Sequence, residues 1–194
     1  GRRPPACAWS FGPPRVIIIH HVDYRLEFDK NYAYCEAYNF KDMEDPVVFL
    51  KKTTDWYGAD VCIDCVGCEA EGNSLQTFSG KVTLMQAGTA TALQWAINSV
   101  KKGGIVSIVG VYGPPFNLIP IGNVLNKGLT IRANQASVKR LLPKLIAHVQ
   151  EGRLNPKGLI THRVALEEVA DAYRLFSSKL DNCIKTVLIP SAKA

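Results

Sequence analysis

Acidic side chains are missing from a long unbroken stretch of this chain. From Gly72 to Gln150 there is no Asp or Glu, while Lys81, Lys101, Lys102, Lys127, Arg132, Lys139, Arg140 and Lys144 all fall there. This stretch more than accounts for the formal charge of +6 and offers a face that nucleotide phosphates, nucleic acid or an acidic partner would suit. A solvated surface balanced by the acids between Asp23 and Asp60 is the simpler alternative. No aromatic–basic interleaving or reader motif accompanies the charge, so nothing beyond charge speaks for nucleic acid.

Long apolar runs are also scarce. Two uncharged windows, 82–100 and 103–126, are diluted by Gln, Thr, Asn and Gly in the first and broken by Pro114, Pro115 and Pro120 in the second. Neither supplies the roughly 20 predominantly apolar residues of a membrane span, so no membrane partner is expected. Arg2-Arg3 runs into Pro4-Pro5 with no apolar segment behind it, unlike a secretory leader. With six cysteines and no leader, reduced thiols and a cytoplasmic location are expected.

What is present is ordinary for a globular protein, with 47% hydrophobic and 21% charged residues. At roughly 100–200 residues per domain, 194 residues allow one well-buried domain or one plus part of a second. The first residue is Gly1 rather than Met, and the expectation is a chain processed, engineered or cut from something longer.

Short β-branched runs alternate with helical-period segments, predicting βα units on a parallel sheet, an α/β fold. Strands are expected at 16–19, 38–40, 59–66, 105–112, 129–133, 162–165 and 183–189. Helices are expected at 24–34, from Asp45-Pro46 onward, at 92–102 ended by Gly103-Gly104, at 137–150 and at 166–178. In the helix at 137–150, Leu141, Leu142, Leu145, Ile146 and Val149 form an apolar stripe expected to face inward. No internal repeat or low-complexity tract is visible.

Several motifs then fall in one register. They are Arg15-Val16-Ile17-Ile18-Ile19-His20, Arg25-Leu26-Glu27, Ala59-Asp60-Val61-Cys62-Ile63-Asp64-Cys65-Val66-Gly67 and Lys101-Lys102-Gly103-Gly104-Ile105-Val106-Ser107-Ile108-Val109-Gly110. Leu159-Ile160-Thr161-His162-Arg163, Leu166-Glu167-Glu168-Val169, Ala172-Tyr173 and Cys183-Ile184-Lys185-Thr186-Val187-Leu188 follow near the end. Over nearly its whole length the chain resembles the zinc-dependent medium-chain alcohol dehydrogenases, leaning toward the branch related to formaldehyde dehydrogenase. The resemblance implies a Rossmann-type doubly wound parallel sheet lacking its first, central strand, plus a C-terminal segment of the catalytic domain. Its domains would be a truncated dinucleotide-binding part at 1–152 and a return segment at 153–194.

In such a sheet the ligand lies at the carboxyl ends of the strands, which points to His20, Val66-Gly67 and Gly110-Val111-Tyr112. By its distance from Val16, Gly1 aligns with the last glycine of the family's phosphate fingerprint, and a helix at 3–11 would offer N–H groups to a phosphate. His20 stands where the family usually carries the acid that grips the adenosine ribose. Its loss removes two charge-assisted hydrogen bonds of about 1.5–3 kcal/mol each and also a repulsion against a 2′-phosphate. Weakened NAD preference and some NADP tolerance are therefore expected, with His20, His21 and Arg25 as phosphate partners; a drifted position without gain of function is the alternative. Arg25 and Lys185 match basic positions that the resemblance places near the ribose and the pyrophosphate.

Cys62, Cys65 and Cys68 form a C-x2-C-x2-C run, but no fourth ligand follows at short spacing and the run starts on a strand, so small buried side chains are the better account. His148 and His162 have no partner at ligand spacing in sequence and read as structural. The family's catalytic zinc ligands, a cysteine, a histidine and an acid, have no counterpart here, so no metal site is expected in this chain.

The expected function is the cofactor-binding part of a zinc-type NAD(P)-dependent alcohol dehydrogenase, binding NAD or NADP weakly and inactive alone. Two other classes stay open. One is a non-catalytic nucleotide-binding or oligomerisation module, with a homo-oligomer through the edge strand running from Leu129 to Ala133. The other is a basic nucleic-acid-associated protein. The missing central strand would lie between the strands at Val16 and Ala59, so either those two strands close up, or the N-terminal piece detaches, or the chain is unstable.

Overall fold

The computed structural model describes residues 12–66, 90–110, 112, 119–135 and 137–190. In order, the elements are β1 (Ile17–His20), α1 (Asp23–Ala33), β2 (Glu36–Asn39), α2 (Pro46–Thr53) and β3 (Ala59–Asp64), then α3 (Thr91–Ser99), β4 (Val100–Ile108), α4 (Ile121–Lys127) and β5 (Thr130–Ala133). The chain continues through α5 (Val138–Gln150), β6 (His162–Ala165), α6 (Val169–Ser177) and β7 (Thr186–Ile189). All pairings are parallel: β1 with β2, β3 with β4, β4 with β5, and β6 with β7. Parallel neighbours need a crossover, and α1, α3, α4 and α6 lie on the four of them. The expected α/β class with parallel sheets is thus the one adopted.

Two compact units carry these elements, one of Phe40–Ser137 and one joining the described residues of 5–39 to those of 138–194. In the first, α3 packs on β4 through Leu93, Ala96, Ile97, Val100 and Val106, with Cys62, Ile108, Val124 and Leu129 against them. The second is centred on Leu26, Ala33, Cys35 and Ala37, with Val16, Ile18 and Tyr32 around them.

Local chemistry sets the ends of these elements. Asp45 caps α2, its Oδ1 accepting from the Val47 N–H at 2.7 Å and the Val48 N–H at 3.3 Å, and Pro46 at the first turn gives up no needed donor. At the other end of the first unit's core, the Lys127 ammonium donates to the carbonyls of Ile97, Asn98 and Val100 at 2.8, 2.9 and 2.7 Å, satisfying the end of α3. Burial lowers the pKa of that ammonium, with Lys51 repelling it further. Gly58 leads into β3 at φ +92°, where a Cβ would lie 2.5 Å from the Ser99 carbonyl oxygen, so only glycine fits.

Two expectations need correction. The helix expected at 92–102 stops at Ser99, and Val100–Gly104 belongs to β4. Ala59 pairs with Val100 but Val61 with Ile105, so the β4 side carries extra residues, and Gly103 at φ +68° makes the bulge rather than a helix stop. The apolar stripe of α5 is also not inward: Leu141, Leu142, Ile146 and Val149 are all exposed, and none of the helix's residues is buried. Amphipathic spacing shows which face wants cover, while the cover itself must come from a packed neighbour. The helix at Ile121–Lys127 and the 3-10 turn at Pro156–Leu159 were not foreseen.

Candidate functional site

Two clusters contain the candidate residues, one in each unit. Strand β3 ends on Asp64, a carboxylate only 3% exposed. Its Oδ1 accepts the Val66 N–H at 3.0 Å, its Oδ2 accepts the Tyr112 hydroxyl, and its carbonyl accepts the N–H groups of Val109 at 2.8 Å and Gly110 at 3.0 Å. Asp64 thereby draws Val66, Gly110 and Tyr112 into one group at the carboxyl ends of β3 and β4. A Cβ on Gly110 would lie 2.8 Å from Asp64 Oδ2 and 2.9 Å from the Val66 carbonyl oxygen, so internal packing already demands this glycine. Burial, and then the bond to Asp64, push the Tyr112 phenol well above the usual tyrosine range.

The second cluster lies at the end of β1. His20 Nδ1 accepts the N–H groups of His21 at 2.7 Å and Val22 at 3.0 Å, and the two imidazoles stack with centroids 5.1 Å apart. With Nδ1 accepting, the ring carries its N–H on Nε2. Its role in the turn is that of an acid: it satisfies backbone donors between β1 and α1. Arg25 Nε donates to the Tyr24 hydroxyl at 3.1 Å, and that hydroxyl donates to the Cys183 carbonyl at 3.2 Å. Lys185 stands just before β7 rather than within it, its carbonyl accepting from the N–H groups of Thr161 at 3.0 Å and His162 at 3.2 Å. Asp23, in the first turn of α1, accepts from Asn39 Nδ2 at 2.8 Å across the ends of β1 and β2.

Gly1, Gly67 and Val111 lie outside the described residues, as do the helix expected at 3–11 and Cys68. The sequence reading missed Asp64, although a carboxylate ending an apolar β-branched run and followed by Cys65-Val66-Gly67 was the signal to find it. It also missed the partner of His162, whose Nε2 lies 3.0 Å from an Asp181 carboxylate oxygen 19 residues away, with Nδ1 2.8 Å from Thr161 Oγ1. Burial pushes the Cys62 and Cys65 thiols up to about 11 each, leaving them protonated at neutral pH.

No protein-family model matches the chain. The zinc-type alcohol dehydrogenase-like protein AdhB of Bacillus subtilis is 37% identical over 182 residues, which is 94% of this chain and 48% of that protein. Over 94% of its length the chain is similar to zinc-type alcohol dehydrogenase-like proteins. A zinc-type alcohol dehydrogenase-like protein of Schizosaccharomyces pombe is 26% identical, over 92% of this chain and 42% of its own length. Among solved alcohol dehydrogenases, TADH from Thermus sp. ATN1 superposes with a TM-score of 0.77 at 27% identity, covering 96% of this chain and 46% of that one. A short chain alcohol dehydrogenase from E. coli CFT073, complexed with the cofactor NADH, shares the fold with a TM-score of 0.73 at 20% identity, covering 95% of this chain and 47% of its own. The chain thus spans about half the length of these alcohol dehydrogenases and their relatives. Its parallel strands and helices are those of a Rossmann-type fold.

Proposed function

We propose that this chain is the cofactor-binding part of a zinc-type, NAD(P)-dependent alcohol dehydrogenase, with 1–152 as the dinucleotide-binding portion and 153–194 as the return segment of the catalytic domain. One observation carries the reading. Val66, Gly110 and Tyr112 are gathered on Asp64 at the carboxyl ends of adjacent parallel strands, where doubly wound folds bind dinucleotides. The NADH bound by the E. coli relative supports the same cofactor class.

Within the second unit, the donor chemistry at the end of β1 fits the ribose and phosphate of a nucleotide. His20 offers its imidazole to a ribose hydroxyl or phosphate oxygen, Arg25 a guanidinium, and the first turn of α1 its N–H groups. Asp23 opposes a 2′-phosphate there, so Arg25 is the cation that would tolerate NADP. Lys185 serves the pyrophosphate in this reading. The nicotinamide, once bound, accepts or gives the hydride that interconverts an alcohol, or an aldehyde hydrate, with its oxidised product. Zinc does not fit the described residues, among which no group of three or more His, Cys, Asp or Glu could hold a metal ion. The part proposed for this chain is to bind and orient the cofactor, weakly and without turnover of its own. A cytoplasmic location belongs to the same reading; among the described residues no helix is long and apolar enough to cross a membrane.

Titration of the chain with NADH and NADPH, followed by cofactor fluorescence, tests this. Weak saturable binding of at least one is expected; no binding of either at millimolar cofactor rejects the reading.

A second reading has its own observation. All four residues of β5 are exposed and β5 pairs only with β4 among the described strands, which favours an oligomerisation edge.

A further inference from the structure

Asp64 combines near-complete burial with a position where a strand gives way to a turn. A buried carboxylate is expensive unless hydrogen bonds surround it, and here both oxygens and the residue's own carbonyl accept. The bonds run in two directions. One holds Val66, two residues on along the same segment; the others reach Val109, Gly110 and Tyr112 beyond β4. Gly110 closes against the same carboxylate so tightly that no side chain fits between them.

We propose that Asp64 is a positioning residue that latches the turn after β3 to the turn after β4, so that both meet the nicotinamide half of the dinucleotide as one preset surface. This rests on the dinucleotide reading above. Asp64 touches no cofactor atom itself and acts through Val66, Gly110 and Tyr112. The Tyr112 phenol keeps its proton and serves as a strut, not as an acid. Preset donors and acceptors avoid the ordering cost that loose loops would incur on binding.

The test compares two ligands on the full chain: NADH, which has the nicotinamide, and ADP-ribose, which lacks it. Asp64→Ala removes the latch, and Tyr112→Phe removes only its far arm. Both are expected to weaken NADH binding about tenfold while leaving ADP-ribose within about twofold. Asp64→Asn is expected to restore NADH affinity, because an amide can still accept from Val66 N–H and donate to the Tyr112 hydroxyl. Circular dichroism of each variant checks that it folds. If Asp64→Ala does not fold, Tyr112→Phe and Asp64→Asn carry the comparison. Equal weakening of both ligands would mean that Asp64 only holds the fold, and unchanged NADH binding by Tyr112→Phe would also overturn the proposal. Wild-type chain that binds ADP-ribose but not NADH overturns the latch alone. Failure to bind either ligand overturns the dinucleotide reading and the latch with it.

Discussion

Arg15 and Glu36 meet as a two-pronged pair at the start of β1 and β2, with Nε to Oε1 and Nη2 to Oε2 both at 2.7 Å. The guanidinium holds the Glu36 carboxyl below the usual range, and the Tyr38 hydroxyl adds to it. A carboxyl whose folded pKa is depressed contributes stability above its unfolded pKa of about 4.3, and that contribution disappears as pH falls through the folded value. Both side chains are more than a third exposed, so solvent screening leaves about 0.5–1 kcal/mol. Arg15→Met should lower the melting temperature at neutral pH and leave it unchanged in strong acid, where Glu36 is protonated in both proteins; an equal loss at every pH would show that the charge pair contributes nothing. How far single residues could be read in the sequence varied with the reach of their contacts. His20 was legible as the residue that ends an apolar strand, but its two backbone acceptor bonds depend on a turn that only the folded chain makes. Asp64 carried a signal in its place at the end of an apolar run, but its bonds to Gly110 and Tyr112, like the His162–Asp181 pair, were not legible, because those partners lie on other elements and no spacing rule links them.

At the scale of elements, the strands were the most legible feature because each is a short β-branched run bounded by turn residues. Irregularity was not: Gly103-Gly104 has the composition of a helix stop, yet one glycine supplies a left-handed bulge residue and the other lies under Val100 with no room for a Cβ. Helix α3 stops instead at Ser99, with Val100 already extended, and the ammonium of Lys127 collects its last carbonyls from 27 or more residues away. Hydrogen bonds to a charged donor are worth about 1.5–3 kcal/mol when removed, and a half-buried ammonium with three carbonyl partners falls in that range. Lys127→Met keeps the length of the side chain and loses all three bonds. Denaturant titration should show a loss of about 2 kcal/mol without a change in slope. A variant as stable as wild type would mean that water caps α3 equally well.

At the scale of the whole molecule, apolar side chains among the described residues remain exposed where the fold class leads one to expect cover. In β3, Cys62 faces the α3 core while Val61 and Ile63 on the opposite face are exposed. Strands of parallel sheets are normally covered on both faces, so a strand apolar on both sides carries the pattern of a covered sheet. The sheet's outer edge is equally exposed: among the described strands β5 pairs only with β4, and all four of its residues are exposed. Two copies joined edge to edge through β5 would pair their backbone groups by a two-fold axis and extend each three-stranded sheet to six. Sedimentation equilibrium should then show a discrete monomer–dimer equilibrium. Ile131→Lys, a charge on the edge strand, should shift it at least about tenfold toward monomer. Val61→Lys serves as the control, because it changes the open face of the sheet without touching the edge. Equal dissociation by both variants would point to nonspecific adhesion of the open face, and a monomer at every concentration would rule the β5 edge out as an interface of this chain with itself.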